Sequence, residues 1–456
     1  MIEKIHPMIA NKPDNGQNKV ALLRPRPEII PRQQHTISRS NISDGALKVL
    51  YRLKNAGFQA YLVGGGVRDL LLGREPKDFD VVTDAHPEQI RELFRNSRLI
   101  GRRFRLAHVR YGQEIIEVST FRAPHHVSDD EDDNQGHVVD GRIVRDNVYG
   151  TIDDDVWRRD FTVNALFYNI DDFSVIDYAG GMQDIRAGRI RLIGDPEQRY
   201  VEDPVRLLRA VRFAAKLAFR IDPDSEAPIS SLAHLLEDIP PARLFEEVLK
   251  LFMGGCSVQT YEMLRHYGLF KALFPQTEEA LSHEEGGFPH TLLLHALGNT
   301  DSRLAEGLPV TPGFIIAALL WAPMHEMAGE YMAKGQNETE AIYFAGDVVI
   351  SRQITSTAMP RRFTQIAREI WQLQARLKRR SGNRPAKLLT HPRFRAAYDF
   401  LLLRHQSGEN VGELAEWWTA YQQEFPAATV AAEQGNTPQG EKRRRRRSRS
   451  RKSRPV

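Results

Sequence analysis

The chain has 456 residues, 41% hydrophobic and 27% charged, a composition that fits a globular protein of about three domains and excludes a disordered one. It holds no apolar run of the roughly 18 residues a membrane span needs. Its single cysteine, Cys256, excludes an intramolecular disulfide and points to a reducing, cytoplasmic setting. The net charge of +4 conceals an asymmetry: Lys442–Val456 hold ten Lys or Arg and no acid, so the remainder carries −6 (+4 less ten). A basic tail on an acidic body points to a polyanionic partner.

In chain order, the opening MIEKIHPMIANKPDNG lacks the apolar core of a signal peptide. Residues 1–45, with five prolines by Pro31, read as an extended, poorly ordered arm. Ala46, Val49, Leu50, Leu53 and Ala56 recur at helical spacing, and Gly57 ends that helix. Tyr61–Val63 reads as a strand running into Gly64-Gly65-Gly66, followed by a helix to Gly73. Phe79–Val82 reads as a strand and Pro87–Phe94 as a helix with proline in its first turn. Arg105–Tyr111 and Glu114–Phe121 flank Gly112-Gln113 as a hairpin. The acidic run Asp129–Asp133 reads as a solvated loop. Beyond Gly181 the pattern is helical to about residue 428. The Gly- and Glu-rich stretch 276–312 is a candidate connection between two helical lobes, and residues 431–456 form a polar linker and the Arg-rich tail.

Three constellations carry chemistry. In Lys77-Asp78-Phe79-Asp80-Val81-Val82, strand alternation puts Asp78 and Asp80 on one face and Phe79 and Val81 on the other. Two same-face carboxylates backed by apolar residues suit a hard divalent cation and phosphoryl displacement. Alone, an Asp-x-Asp is more often a strand end facing water. Upstream, Leu62-Val63-Gly64-Gly65-Gly66-Val67-Arg68-Asp69 reads as strand, glycine turn, helix. Glycines admit a phosphate close to the backbone, the helix start offers N–H groups, and Arg68 is placed to meet a phosphate oxygen. The segment is neither a Walker loop nor G-x-G-x-x-G. Third, in Glu202-Asp203-Pro204-Val205-Arg206-Leu207-Leu208-Arg209-Ala210-Val211-Arg212, Asp203 reads as a helix N-cap before a first-turn proline, with three arginines at spacing three.

LVGGGVRDLLLG, then DFD, RRDFTVNAL and EDPVRLLRAVRFAAKL together resemble the bacterial poly(A) polymerase and tRNA CCA-adding enzyme family of polymerase-beta-like nucleotidyltransferases. The likeness covers residues 45–275 and continues more weakly through Ala367–Leu373 and His391–Tyr398. It implies an α+β fold. A nucleotidyltransferase head with a mixed sheet spans 46–180, a helical nucleotide-recognition and RNA-binding neck 181–275, a helical body 276–430, and a disordered basic tail follows. It implies addition of AMP from ATP to RNA 3′ ends with Mg2+, or Mn2+ in its place, and protein partners from RNA decay; CCA addition to tRNA is the alternative.

By the same resemblance, Asp78 and Asp80 hold metal and Asp160 of Arg158-Arg159-Asp160 is catalytic or reads ribose. Glu117, in the alternating strand Ile115–Thr120, competes as the third carboxylate, and spacing leaves both open. Gly64, Gly65, Arg68, Arg159, Asp203, Arg206 and Arg209 would bind the nucleotide, with Asp203 and Arg206 reading its base edge. Leu99–Val109, containing Arg102-Arg103, resembles the poly(A) branch rather than the CCA branch. No His-Asp dipeptide occurs, which removes support for a fused metal-dependent phosphohydrolase.

Overall fold

The computed structural model describes residues 26–101, 105–123, 136–139, 142–146, 148–282 and 288–425. The acidic run Asp129–Asp133, the Arg102-Arg103 pair and the basic tail lie outside the described residues.

The N-terminal part is built on one eight-stranded sheet. Its members are β1 (Glu28–Ile30), β2 (Ala60–Val63), β3 (Asp80–Thr83), β4 (Ser97–Ile100), β5 (Leu106–Tyr111), β6 (Glu114–Thr120), β9 (Leu166–Asn169) and β10 (Val175–Asp177); β7 (Gly136–Val139) and β8 (Arg142–Asp146) form a separate hairpin. The strand order is β1-β10-β9-β2-β3-β6-β5-β4. β3 and β6 run parallel and the other neighbours antiparallel, so the sheet is mixed. Helix α1 (Asp44–Asn55), capped by the Ser43 hydroxyl accepting from the Ala46 amide, lays Ala46, Val49, Leu50 and Leu53 against Leu62, Val81, Ile116 and Val118. The opposite face is covered by α4 (Ile152–Arg158), whose Val156 packs with Val63, Val82 and Phe167. Asp80 shares the face of Val82, two residues on, and therefore lies on the α4 side.

One expectation is corrected here. Residues 26–42 are no loose arm: β1 pairs with β10 at the sheet edge, and Ile30, Ile37 and Ile42 are buried in the core. Three well-spaced isoleucines suffice to dock a proline-rich segment that has no periodic pattern of its own. The stretch 276–312 continues the helical pattern read beyond Gly181, with Pro275–Ser282 and Phe288–Ala305 forming helices. Ala280, Leu281, Leu292 and Leu293 are buried there and tie these helices to the core.

After α5 (Gly181–Ala187), β11 (Arg189–Ile190) and α6 (Pro196–Glu202) comes α7 (Val205–Leu217), then β12 (Arg220–Ile221), the short α8 (Pro223–Glu226) and α9 (Ile229–Leu232), and α10 (Pro241–Phe252). A single apolar core runs from Phe161 through α7 and α10 into helices beyond residue 340, reaching Trp371 and Phe400. The helical part thus forms a continuous support against which α7 presents its other side to the sheet.

Candidate active site

Every site residue named from the sequence lines one open cleft of about 1000 Å3 between the sheet and the helices α7 and α10. The sheet wall is acidic. Asp80 opens β3, and the parallel register places Glu117 of β6 directly beside it, while Val63 of β2 stands opposite on the other side. Burial and the neighbouring Glu117 charge push the Asp80 carboxyl up to about 6, partly offset by Arg159, with Asp78 adding to the rise. Asp78 lies two residues before the first ladder residue and is exposed. Glu117 Oε1 lies 3.1 Å from His108 Nε2 on β5. Three carboxylates sharing one corner with a single nearby guanidinium leave excess negative charge, which is the donor chemistry a hard cation requires. Among the described residues no group of three or more His, Cys, Asp or Glu side chains converges closely enough to hold a metal ion.

The glycine turn abuts this corner. Gly64 has φ 76° and ψ −140°, a conformation side chains rarely adopt, and a Cβ there would sit 3.7 Å from Asp80 Oδ2. At Gly66 a Cβ would meet the Asp78 carbonyl oxygen at 3.3 Å. The two glycines therefore let α2 (Gly65–Leu71) start against the carboxylate strand. Arg68 differs from expectation. Its guanidinium is 1% exposed, donates to Asp69 Oδ1 at 2.7 and 2.8 Å and to Asn164 Oδ1 at 2.6 Å, and stacks 5.2 Å from the Phe213 ring centre. The bond to Asn164 ties α2 to the segment after α4, and the two to Asp69 fix the guanidinium within α2 itself.

Asp160 is enclosed in a similar way. Burial alone would raise its carboxyl, but the Arg209 guanidinium, the Phe161 amide and Asn164 bring it down to about 2. Arg209 Nε donates to Oδ2 at 2.7 Å, and the Phe161 N–H and Asn164 Nδ2 donate to Oδ1 at 2.8 and 3.3 Å. Arg159, by contrast, is held by Asp155 Oδ2 from Nε and Nη2 at 2.8 and 2.7 Å, which leaves it leaning toward Asp80.

On the helical wall, Asp203 is not the N-cap of α7. It closes α6 with φ −149°, Pro204 occupies the cap position with helical dihedrals, and no side-chain cap bond forms. Asp203 Oδ2 accepts instead from Arg243 Nη2 of α10 at 2.8 Å. Arg206 is 7% exposed and donates to the Arg199 carbonyl oxygen at 2.6 Å and to Glu202 Oε2 at 3.1 Å. Arg212 lies 4.4 Å from the Phe213 ring centre, and its buried Nε has no hydrogen-bond partner among the described residues. Arg212, Arg243 and Glu247 line the cleft and were not assigned a site role from the sequence. The triplet spacing of Arg206, Arg209 and Arg212 already pointed to the first; the i, i+4 pair of α10 points to the others once that helix is known to face the cleft.

The head portion, residues 60–191, matches the family model described as poly A polymerase head domain; residues 218–281 match "Probable RNA and SrmB-binding site of polymerase A" and 334–452 "Polymerase A arginine-rich C-terminus". The chain is 50% identical to poly(A) polymerase I of Salmonella typhimurium over 97% of its length and 96% of that protein's. It belongs to the poly(A) polymerase family. Poly(A) polymerase I of Escherichia coli O157:H7 is 51% identical over 91% of this chain and 90% of its own, whereas the CCA-adding enzyme of Lactobacillus helveticus is 38% identical over only 48% of this chain and 52% of its own. The fold is that of the CCA-adding enzyme of Bacillus stearothermophilus solved with CTP, at TM-score 0.56 and 24% identity over 87% of this chain and 88% of that one. In this poly(A) polymerase family member no helix among the described residues is long and apolar enough to cross a membrane.

Proposed function

We propose that the chain is a polynucleotide adenylyltransferase, joining AMP from ATP to RNA 3′ ends with release of pyrophosphate. One observation carries this reading: the parallel register that sets Asp80 beside Glu117, next to the Gly64 turn, at the acidic end of a cleft whose other wall is rich in arginine. Likeness over nearly the full length to poly(A) polymerase I supports it over CCA addition. Asp78 and Asp80 would hold Mg2+, with Glu117 as the third carboxylate. Such an ion supplies charge neutralisation at the α-phosphate and acidifies the attacking hydroxyl.

The other residues position the substrates. The Gly64–Gly65 backbone gives the triphosphate close approach to the sheet end, and Arg159 and Arg212 face it with positive charge. Asp160 acts as a positioning residue rather than a metal ligand, because its oxygens already accept from Arg209, Asn164 and the Phe161 amide. Arg68 likewise braces the glycine turn. Asp203, steadied by Arg243, and Arg206 stand at the base end. Catalysis of this kind rests on alignment and electrostatics, without a protein nucleophile. Such an enzyme would work on RNA in the reducing cytoplasm.

The test is primer extension on oligo(A) and on tRNA lacking its 3′ CCA, with each nucleoside triphosphate alone. Long A-tracts from ATP, lost in Asp80→Ala, support the reading. Equal use of CTP and ATP, ending after three additions, would replace it with CCA addition.

A further inference from the structure

The sheet continues past the carboxylate corner into a part for which the adenylyltransferase reading has so far no task. The strand registers line up Asp80 of β3, Glu117 of β6, His108 of β5 and Arg98 of β4 in one cross-strand row. Residues directly opposite one another share a face of the sheet, so all four project on the cleft side. The next row on that face pairs Ile115 of β6 with Arg110 of β5. The other face is closed. Ala107, Val109, Ile116 and Val118 are fully buried there, in one core with α1 and with Ile90 of α3 (Pro87–Leu93). On the cleft side Ile115 is 37% exposed, Arg98 and Arg110 are exposed, and His108 is half-buried. Ile115 and its neighbour Leu106 enter none of the described hydrophobic cores. Arg110 accepts from Asn96 through its carbonyl oxygen, and neither guanidinium has a partner among the described residues.

Two unpaired guanidiniums on an open sheet face match an anion from outside the chain. In-line displacement says which one. The pyrophosphate leaves toward the Gly64 turn, which follows β2 and so lies on one side of Asp80 in the sheet. Attacking and leaving oxygens stand on opposite sides of the α-phosphate. The RNA hydroxyl therefore arrives from the other side, past Glu117 on β6. Neighbouring strands lie about 4.8 Å apart, so Arg98, two strands beyond Glu117, is roughly 10 Å further along this approach. The phosphates that precede the terminal nucleotide run there. Ile115, which also lines the cleft, offers the terminal nucleotide an apolar contact. His108, with Nε2 at 3.1 Å from Glu117 Oε1, stands between the carboxylates and Arg98.

We propose that the open face of β4, β5 and β6 seats the 3′ end of the RNA primer, with Arg98 and Arg110 holding its last phosphates and Ile115 its terminal nucleotide. The proposal rests on the adenylyltransferase reading. It makes the two arginines positioning residues, which align the attacking hydroxyl without touching the incoming nucleotide.

The experiment compares the unmodified full chain with Arg98→Ala/Arg110→Ala. Primer extension is measured on oligo(A) of about 20 and of about four nucleotides, and binding of the longer primer by fluorescence anisotropy without ATP. Both side chains are exposed, so the variant should keep its melting temperature. The primer KM should rise roughly tenfold at both lengths, while kcat and the KM for ATP stay within about twofold. The salt slope of binding should flatten by about 1.4, at about 0.7 for each phosphate contact on a single strand. Arg98→Lys/Arg110→Lys keeps the charges and should recover most of the loss. Ile115→Asp, which sets a charge against the RNA, should raise the primer KM alone. Unchanged primer KM and salt slope in the alanine variant would overturn the proposal and leave this face to a protein partner. A loss confined to the longer primer would also overturn it, by moving the arginines away from the 3′ end. So would an equal rise in the KM for ATP, which would place them on the nucleotide. Failure of the unmodified enzyme to add AMP to a primer that it binds would remove the underlying reading instead.

Discussion

Replacing Asp80 by Asn should stabilise the metal-free protein while abolishing nucleotide transfer. A carboxyl held at about 6 instead of 3.8 resists ionisation in the folded state by about 3 kcal/mol at about 1.4 kcal/mol per pH unit. The Asp80 side chain keeps some contact with the open cleft, so a gain of about 1–3 kcal/mol is expected, a rise of a few degrees in the melting temperature. The sign follows from linkage. The folded pKa lies above the unfolded one, so the stability of the native protein is intact below about pH 4, declines between pH 4 and 6, and stays reduced above 6. The asparagine variant lacks this decline. Thermal melting of both proteins in EDTA at pH 4 and pH 8 measures it: the gap should be near zero at the lower pH and full at the higher. Millimolar Mg2+ at pH 8 should raise the melting temperature of the native protein and close the gap, because the ion neutralises the charge that Asn removes. Pyrophosphate release should be undetectable in the variant under all conditions. Equal melting temperatures in EDTA at pH 8 would refute the claim that Asp80, Glu117 and Asp78 form an uncompensated anionic corner.

Other outcomes follow from the same geometry. Arg209→Met strands the buried Asp160 carboxylate and should cost about 2–4 kcal/mol in urea unfolding, with part of the loss recovered in the double variant Asp160→Asn/Arg209→Met. Because the folded Asp160 pKa of about 2 lies below its ordinary value, the stability it contributes is full above about pH 4 and lost as pH falls toward 2; acid titration of Asp160→Asn should lack that component. Gly64→Ala forces a side chain into a left-handed backbone at φ 76° and should cost about 1–2 kcal/mol, raising the KM for ATP as the turn shifts against Asp80. Deletion of residues 441–456 should weaken RNA binding for all sequences alike and flatten its salt dependence, leaving ATP selectivity unchanged; an unaltered salt slope would assign the tail another role.

The periodic segments were readable directly. Strand alternation around Val81 put Asp80 on the face opposite the core that holds Val81 because side-chain period is a local property of extended backbone, while Asp78 lies before the strand begins. The apolar stripe at Ala46, Val49, Leu50 and Leu53 defined α1 for the same kind of reason. A segment without period was misjudged. Ile30, Ile37 and Ile42 are too far apart to announce an edge strand. At Asp203 the Asp-Pro pair has the composition of a cap, yet its carboxylate accepts from Arg243, 40 residues away.

The sequence by itself determined the chemistry available to this protein: a carboxylate pair, a glycine turn, an arginine-spaced helix and a basic tail, each encoded in residues close together in the chain. Only the tertiary structure decided how those groups divide the work. Glu117 reaches Asp80 through a parallel pairing whose register no local pattern reveals, whereas Asp160 is enclosed by Arg209, and Arg68 by Asp69 and Asn164. Those partners depend on contacts between segments distant in sequence. Their energies come from burial and from the direction of hydrogen bonds, and neither exists until the chain has folded.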